Sequence, residues 1–203
     1  KTMADYTIHY WPIKARGYLP AVISSVGGLN YEWKKDVEWP AFKPNTPFGQ
    51  LPVLTGPNGL IVGQSLAIVR VLARAAKLQG ETEAQFAMSE QLIQENEDLY
   101  MGLAKAHYAE DRTAGMDNFF ANVLPPQLDY LSKLLKGDTF TGSLLAGDLA
   151  IFVIFDVIVS LQANALDKHP SLKAFYASVA ANPKVKAAGE GIGNYFARHS
   201  DKK

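Results

Sequence analysis

The sequence predicts an α/β domain followed by an all-helical domain, and two changes near Gly80 support this division. Before Gly80 the chain consists of short alternating or apolar runs that Gly and Pro interrupt, whereas after it apolar residues recur with long helical periods. Residues 1–80 contain nine Lys and Arg against four Asp and Glu, and residues 81–203 contain eleven against sixteen. We therefore predict domains at 1–79 and 80–203, with Gly80 ending the helix before the boundary.

The first domain is predicted to combine a parallel strand pair with an antiparallel hairpin. Its strands are rich in β-branched and aromatic residues, and its turns contain Gly, Pro and Asn. A strand–helix–strand start favours parallel pairing, while a short turn between two strands favours antiparallel pairing. The predicted elements are, in order, a strand at 6–10, a helix at 15–26, a strand at 31–34, a hairpin of 51–54 with 60–62, and a helix from Ser65.

The second domain is predicted to be all-helical. Pro125 and Pro126 are expected to kink or break one of its helices, because proline lacks the amide donor. The apolar run from Leu149 to Leu161 is too short to cross a bilayer and contains Asp156, so we expect a buried helix there. The helical segments are predicted near 84–109, 113–136, 148–163, 170–181 and 183–189.

Composition excludes several classes of function. The chain has no cysteine, which rules out disulfides, thiolate metal sites and a cysteine nucleophile, and is compatible with a cytoplasmic location. Its 20 basic and 20 acidic residues cancel, so we expect neither nucleic acid nor a membrane as a partner. The four histidines lack metal-ligand spacing, and the sequence has no G-x-S-x-G motif or phosphate-binding glycine loop. We therefore expect no metal.

Polar residues at two element ends point to a small anionic ligand. Open α/β sheets bind ligands beyond the carboxyl ends of their strands, and Tyr10 lies at such an end. Ser65 begins a helix whose first amide groups can hold an anion. Both residues also have structural interpretations, Tyr10 as an aromatic residue at a strand end and Ser65 as a helix cap.

Several segments of the chain resemble the cytosolic glutathione transferases, in particular their sigma class. The segments keep the order and spacing of that family, and the resemblance covers nearly all of residues 4–190. They are Tyr6-Thr-Ile-His-Tyr-Trp-Pro12 with Arg16, Glu38-Trp-Pro-Ala-Phe-Lys43, Gly49-Gln-Leu-Pro-Val-Leu54 followed by Gln64-Ser65, Val123-Leu-Pro-Pro-Gln-Leu-Asp-Tyr-Leu131, and Asp148-Leu-Ala150 with His169-Pro-Ser-Leu172.

The resemblance implies a thioredoxin-like first domain, a helical bundle as the second, a homodimer, and glutathione as substrate or cofactor. It assigns catalysis to Tyr10, whose hydroxyl would donate a hydrogen bond to the glutathione sulfur and favour the reactive thiolate. Arg16 would support the thiolate electrostatically. Tyr6 is the competing tyrosine, but its place at the start of the strand predicts a packing role.

Two sets of binding residues accompany this assignment. Asp98 would reach glutathione bound to the neighbouring subunit; alternatively, it is a solvated charge on its helix. Phe48 is assigned either to the dimer interface or to the core. Lys14 is unusual in such a pocket, and we hypothesise that it selects an anionic electrophile. Glutathione contacts are implied for Trp39, Lys43, Gln50, Leu51, Pro52 (after a cis bond), Gln64 and Ser65. Contacts to the hydrophobic substrate are expected from Trp11, Ile13, Lys14, Met101, Lys105 and Tyr108.

Three departures from the family pattern affect these expectations. Leu145 stands where the family has a capping Ser or Thr before Asp148, so we expect the buried helix to lack a capping hydroxyl, at a cost of about 1 kcal/mol. Gly17 and Tyr18 replace the usual Ala-Glu after the arginine. Residues 190–203 match no part of the pattern.

The resulting hypothesis is a glutathione transferase in which the thiolate attacks an electrophilic carbon, with detoxification as the default role. A glutathione-dependent isomerase of the prostaglandin-synthase type is an alternative that the sequence does not separate from conjugation. A non-catalytic ligand carrier or structural protein of the same fold is a second alternative. Retention of the implied site residues argues against it, because a structural role requires none of them.

Overall fold

The fold is given by a computed structural model, which describes residues 4–199. Contacts divide the chain into two compact units. The first unit contains the described residues up to Gln79 together with Asn182–Arg198, and the second contains Gly80–Ala181. The sequence placed 182–198 in the helical domain, whereas the structure groups this segment with the first unit.

The first unit is built around a mixed sheet with the strand order β3-β1-β4-β5. Strands β1 and β3 are parallel, and β4 and β5 form an antiparallel hairpin, which confirms both predicted pairings. Strand β1 also pairs with β4 in antiparallel fashion. The elements of this unit are β1 (Tyr6–His9), β2 (Ile13–Lys14), α1 (Tyr18–Val26), β3 (Tyr31–Lys34), α2 (Trp39–Phe42), β4 (Val53–Thr55), β5 (Ile61–Gly63), α3 (Ser65–Ala75), α9 (Pro183–Gly189) and β6 (Gly193–Asn194).

Helices α1 and α3 pack together and against the sheet. Helix α3 buries one apolar stripe, whereas α1 is buried on all sides from Tyr18 to Ser24. Ile8 and Leu54 of the central strands are fully buried. Side chains alternate along a strand, so His9 points to the opposite face of the sheet from Ile8. There its ring stacks on Phe42 of α2, with ring centroids 4.7 Å apart.

The end of α3 differs from the expectation for Gly80. The helix ends at Ala75, and the chain leaves it through Lys77, whose φ of 58° lies in the left-handed region. Gly80 has a φ of 102° and lies farther along, in the loop before α4 (Glu83–His107). The expected loop between the two domains is present, but α3 ends at Ala75 and not at Gly80.

Helix α9 and strand β6 are held on the first unit by specific contacts. The Ser25 hydroxyl donates to the Lys184 carbonyl at 2.8 Å, and the Lys184 ammonium donates to the Val26 carbonyl at 3.1 Å. Strand β6 pairs in parallel with β2, so that Ile13 is opposite Gly193. Phe196, directly beyond β6, is fully buried. The C-terminal segment therefore anchors the chain that follows Tyr10.

The second unit is helical, as predicted. A π-helical turn at Phe119–Val123 separates α5 from α6. Pro125 and Pro126 lie in the first turn of α6, where amide hydrogens have no intrahelical partner, so the predicted break is confirmed just before them. The helices are α4 (Glu83–His107), α5 (Arg112–Asn118), α6 (Leu124–Leu134), α7 (Ala146–Leu161) and α8 (Pro170–Ala181).

Helix α7 is the buried centre of the second unit, which confirms the expectation for the apolar run. It packs along α4, and the Asn96 amide of α4 donates to the Ala150 carbonyl at 2.9 Å. Asp156 is partly buried and accepts a hydrogen bond of 3.1 Å from the Tyr176 hydroxyl. Burial, followed by the charge of Asp156 and this hydrogen bond, raises the pKa of Tyr176 to about 12. No helix in the described part of the chain is long and apolar enough to cross a membrane.

Candidate functional site

Tyr10 lies immediately after β1, and both its backbone amide and its backbone carbonyl are hydrogen-bonded. Its amide donates to the Lys34 carbonyl at 3.2 Å, and its carbonyl accepts from the Trp33 indole Nε1 at 2.9 Å. The side chain is only 6% exposed. Tyr6, at the other end of β1, packs beside Gly56, which agrees with its expected packing role.

A series of ring contacts connects Tyr10 with Trp39 and Lys43, two of the implied glutathione contacts. The ring centroids of Tyr10 and Trp11 are 5.7 Å apart, and those of Trp11 and Trp39 are 6.1 Å apart. The Lys43 ammonium lies 6.0 Å from the Trp39 ring centroid, within cation–π range. The structure thus brings these four residues together on one side of the first unit.

Arg16 and Ser65 meet at the start of α3. The Arg16 Nη1 donates to the Ser65 hydroxyl at 3.2 Å, although 49 residues separate them along the chain. Ser65 is the first residue of α3, and Gln64 occupies the N-cap position, so the interpretation of Ser65 as the helix cap is wrong. A guanidinium and a hydroxyl therefore converge beside the amide end of a helix, an arrangement that suits a carboxylate.

Gln64 adopts an unusual backbone conformation at this place. Its φ is 69° and its ψ is 116°, in a region that residues other than glycine rarely occupy. Such a conformation costs about 1–3 kcal/mol and persists where the surrounding structure holds it, often at binding sites. The Gln64 side chain is exposed and makes no capping hydrogen bond to α3.

The segment before β4, residues 49–52, passes beside the Lys43 side chain. The Leu51–Pro52 peptide bond is cis, Leu51 is partly buried, and Gln50 is exposed. A Cβ built on Gly49 would lie 3.4 Å from the Lys43 Cε, so the Lys43 side chain passes directly over this segment. Lys43 thus contacts the Trp39 ring and also lies beside Gly49, two residues before the cis Leu51–Pro52 bond.

The residues that follow Tyr10 have different environments. Trp11 is 39% exposed, whereas Ile13 is 7% exposed and is paired with β6. The Lys14 ammonium lies 5.4 Å from the centroid of the Tyr18 ring, which is itself buried. Lys14 is therefore already engaged in a cation–π contact within its own unit.

In the second unit, four of the expected residues share one surface of α4. Their spacing of three, four and three residues places them on the same side of the helix. Met101 is 50% exposed and Tyr108 is 66% exposed. Burial and the charge of nearby Asp98 raise the pKa of Glu95, whose Oε1 is buried without a hydrogen-bond partner. The exposed set is Asp98, Met101, Lys105 and Tyr108.

A separate cleft lies in the first unit between β3 and α2. Its volume is about 410 Å³, and its lining includes His9, Lys34, Glu38 and Phe42 but none of the expected glutathione contacts.

Within residues 4–199, no group of three or more His, Cys, Asp or Glu side chains is arranged to hold a metal ion.

The sequence analysis missed one residue at the site. Gly17 was treated only as a departure from the family pattern, yet it lies against the ring of Tyr10, because a Cβ built on it would be 2.6 Å from the Tyr10 Cγ. The sequence signal was the glycine itself, immediately after Arg16.

Comparison with known proteins places this architecture in a family. The model of the glutathione S-transferase N-terminal domain matches residues 16–80, and the model of the C-terminal domain matches residues 97–188. The chain belongs to the glutathione S-transferase family, with a thioredoxin-like domain followed by a helical domain, as the resemblance implied.

Individual relatives agree with this assignment. The chain is 30% identical to hematopoietic prostaglandin D synthase of Gallus gallus and 32% identical to a probable glutathione S-transferase 7 of Caenorhabditis elegans. Each alignment covers 91% of this chain and 95% of the relative. The structure of a Fasciola hepatica sigma-class glutathione transferase superposes with a TM-score of 0.77 at 26% identity, covering 91% of this chain and 94% of that one. The similarity to sigma-class proteins is thus confirmed.

Proposed function

We propose that the protein is a glutathione transferase in which Tyr10 activates the glutathione thiol. The observation that carries the proposal is the convergence of Arg16 on Ser65 at the amide end of α3, in the same unit as Tyr10. This convergence supplies a place for the γ-glutamyl carboxylate. The residues fit a small anionic peptide, because cationic, hydroxyl and amide donors are grouped near aromatic surface.

In the proposed reaction Tyr10 donates its hydroxyl proton in a hydrogen bond to the sulfur without transferring it. This bond stabilises the thiolate more than the thiol and so lowers the thiol pKa. The thiol proton passes to solvent water. The thiolate then attacks an electrophilic carbon, and the leaving group departs with the bonding electron pair. Binding and orientation supply much of the acceleration, because the thiolate is a strong nucleophile once formed. Arg16 adds positive charge near the same atom.

The proposed glutathione site belongs to residues 1–79. Gln64 and Ser65 hold the γ-glutamyl carboxylate, and the Leu51 backbone before Pro52 pairs with the cysteinyl part in the manner of an added strand. Trp39 and Lys43 reach the glycine carboxylate, and Gln50 contacts the peptide beside them. We propose that the helical second unit, Gly80–Ala181, contributes the electrophile site.

The electrophile is proposed to contact the exposed aromatic and aliphatic groups of two segments. Trp11 offers a partly exposed ring directly after Tyr10, and α4 offers Met101, Lys105 and Tyr108 on one surface. Ile13 is buried, so its contribution is to support this chain segment by packing. Lys14 faces Tyr18, and selection of an anionic electrophile by Lys14 requires that it leave this contact.

We further propose a homodimer in which Asp98 completes the partner's site. Asp98 is exposed on α4, and its carboxylate suits an ammonium group such as that of the γ-glutamyl residue. Phe48 is 63% exposed, which rules out the core assignment and favours an interface role.

The test is conjugation of glutathione to a generic aromatic chloride by the wild type and by Tyr10→Phe. A hydrogen bond to a charged group contributes about 1.5–3 kcal/mol, so the variant is expected to lose about 10- to 100-fold in turnover. Glutathione affinity, measured by calorimetry, should remain within about threefold. Equal turnover by both proteins would show that another donor activates the sulfur.

A second candidate is a glutathione-dependent isomerase. It is favoured by the 30% identity to a prostaglandin D synthase over most of both chains. Production of prostaglandin D by the wild type, with little conjugation of aromatic chlorides, would favour the isomerase. Absence of both activities together with measurable glutathione binding would favour a non-catalytic binding protein.

A further inference from the structure

Gly17 has no backbone requirement for glycine. Its φ of −87° and ψ of −12° lie in the right-handed helical region that any residue adopts. A side chain at this place is excluded by contact, because a Cβ would lie 2.6 Å from the Cγ and 2.8 Å from the Cβ of Tyr10, and closer still to the Cδ1. Carbon atoms pack at about 3.5–4.0 Å, so the Tyr10 ring occupies the space of the missing methyl group.

The backbone on both sides of this contact is restrained. Tyr10 is held by the hydrogen bonds to Lys34 and Trp33 described above. Gly17 is followed by Tyr18, whose side chain is 2% exposed and whose amide donates to the Ala15 carbonyl at 2.9 Å.

The Tyr18 side chain is itself confined from the other side. Its hydroxyl would lie 2.8 Å from a Cβ built on Gly189 of α9, so there is little space between Tyr18 and the C-terminal segment. A methyl group on Gly17 therefore has to be accommodated by a displacement of Tyr10. Rotation of its ring can relieve the contacts at Cγ and Cδ1, but the 2.8 Å contact with the Tyr10 Cβ is relieved only if the main chain of Tyr10 shifts as well.

We infer that Gly17 is a positioning residue for Tyr10, which sets where the phenolic hydroxyl lies relative to Arg16 and Ser65. This inference rests on the proposed function of Tyr10. Rotation of the ring about its side-chain bonds moves the hydroxyl most, because it is the atom farthest from the Cβ. A misplacement of about 1 Å at a reacting group costs about 100-fold in rate, so a single methyl group at Gly17 should reduce catalysis without removing any catalytic atom.

The test is Gly17→Ala in the full chain, with conjugation to an aromatic chloride followed across pH. We expect kcat to fall about 10-fold or more, and the apparent thiol pKa in the pH profile to rise towards that of free glutathione. The glutathione Kd should stay within about threefold of the wild type. Gly102→Ala is the matched control, because a Cβ on Gly102 would be 3.4 Å from its nearest neighbour, a ring atom of Phe119. It should leave kcat and the pH profile unchanged.

A double-mutant cycle separates positioning from general packing. In the Tyr10→Phe background the ring remains but the hydroxyl is absent, so Gly17→Ala should reduce kcat little further. A loss of the same factor in both backgrounds, or an unchanged kcat and pH profile in the single variant, would overturn the inference. Equality of Tyr10→Phe with the wild type would instead overturn the proposed function.

Thermal unfolding keeps the test decisive if Gly17→Ala folds poorly. The loss of stability caused by Gly17→Ala should then be smaller in the Tyr10→Gly background than in the wild type, because Tyr10→Gly removes both the ring and the Cβ that the new methyl group would meet. An equal loss in both backgrounds would show that the contact with Tyr10 is not what requires glycine at this position, and would contradict the inference.

Discussion

At the scale of single residues, the contact between Arg16 and Ser65 joins the loop after β2 to the first turn of α3. A guanidinium presents several donors in a fixed plane, a geometry that matches the two oxygens of a carboxylate. In the proposed complex the hydroxyl and the adjacent helix amides hold the same carboxylate from a second direction. An anion site that is arranged before the ligand arrives reduces the entropy lost on binding.

Arg16→Ala is expected to weaken glutathione binding about 10-fold, because a charge-assisted hydrogen bond contributes about 1.5–3 kcal/mol and part of that remains through Ser65. Calorimetric titration with glutathione measures this change directly. Arg70→Ala, which removes an exposed arginine from the outer surface of α3, serves as the control and should not alter affinity. An unchanged affinity in Arg16→Ala would contradict the proposed carboxylate site.

His9 makes the stability of the first unit dependent on pH. Burial lowers the pKa of His9 below its usual 6.5, the charge of Lys34 lowers it further, and Glu32 partly opposes them. Since the folded state then binds fewer protons than the unfolded chain, stability is complete above pH 6.5 and falls as pH decreases through that value towards the folded pKa. NMR titration of the imidazole should give a midpoint below 6.5.

The His9→Gln variant supplies the thermodynamic check of the same prediction. Its unfolding free energy should depend less steeply on pH than that of the wild type between about pH 5 and 6.5. The Thr55 hydroxyl, 3.1 Å from His9 Nε2, retains a polar partner in this variant. An imidazole midpoint above 6.5 would show that Glu32 outweighs burial.

Single-residue roles could be predicted only where they followed from a recognisable pattern. The tyrosine at the end of β1 and the Gln64-Ser65 pair were identified from the sequence because their neighbours match a family pattern. The contact of Lys14 with Tyr18 was not predictable, because it depends on how the loop after Tyr10 is folded over α1. The glycine next to Arg16 was noticed, but its meaning required the distance to the Tyr10 ring.

At the scale of secondary-structure elements, the start of α7 corrects the expectation of an uncapped helix. Leu145 provides no side-chain cap, but the Gly147 amide donates to the Ser89 hydroxyl of α4 at 2.9 Å. The Asp148 carboxylate accepts from the Leu145 amide at 3.1 Å and from the Phe140 amide at 2.7 Å. The missing hydroxyl is therefore supplied from another helix.

Ser89→Ala should destabilise the second unit by about 1–2 kcal/mol, because it removes a helix cap and leaves the buried Gly147 amide without its acceptor. Urea unfolding measures the change. Ser160→Ala, near the other end of α7, is the control, because Ser160 is exposed and its hydroxyl donates to the Val157 carbonyl of its own helix turn; the change in stability should be less than about 0.5 kcal/mol. Equal effects of both variants would contradict capping by Ser89.

Element boundaries were predictable for long periodic segments and not for short ones. Helix α4 was expected at 84–109 and spans Glu83–His107, because its apolar residues repeat over many turns. Strands β2 and β6 have two residues each and α2 has four, too few for any periodicity to be read. Their existence depends on partners distant in sequence, which no local pattern encodes.

At the scale of the whole molecule, the proposed dimer rests on exposed groups from each unit. Phe48 lies beside Gly63 and exposes most of its side chain, although a large apolar group is normally buried. Phe48 is one of several exposed aromatic residues in the described part of the chain, and we propose that it fills a pocket on the partner as an anchor. Dimer formation would also account for the exposed carboxylate of Asp98.

Phe48→Ser should therefore weaken self-association at least about 30-fold, since aromatic anchors contribute about 2 kcal/mol or more to an interface. Analytical ultracentrifugation over a range of concentrations measures this change. Tyr130→Ser removes another exposed aromatic residue, on α6, and should leave the association unchanged. A wild-type chain that stays monomeric at all concentrations would contradict the dimer.

The central claim of the account is that Tyr10 stabilises the glutathione thiolate. It is tested most directly by titrating the thiol of bound glutathione, followed by the ultraviolet absorbance of the thiolate, in the wild type and in Tyr10→Phe. The account predicts a thiol pKa below about 7.5 in the wild-type complex and one near the free-thiol value of about 8.5 in the variant. The same thiol pKa in both complexes would contradict it.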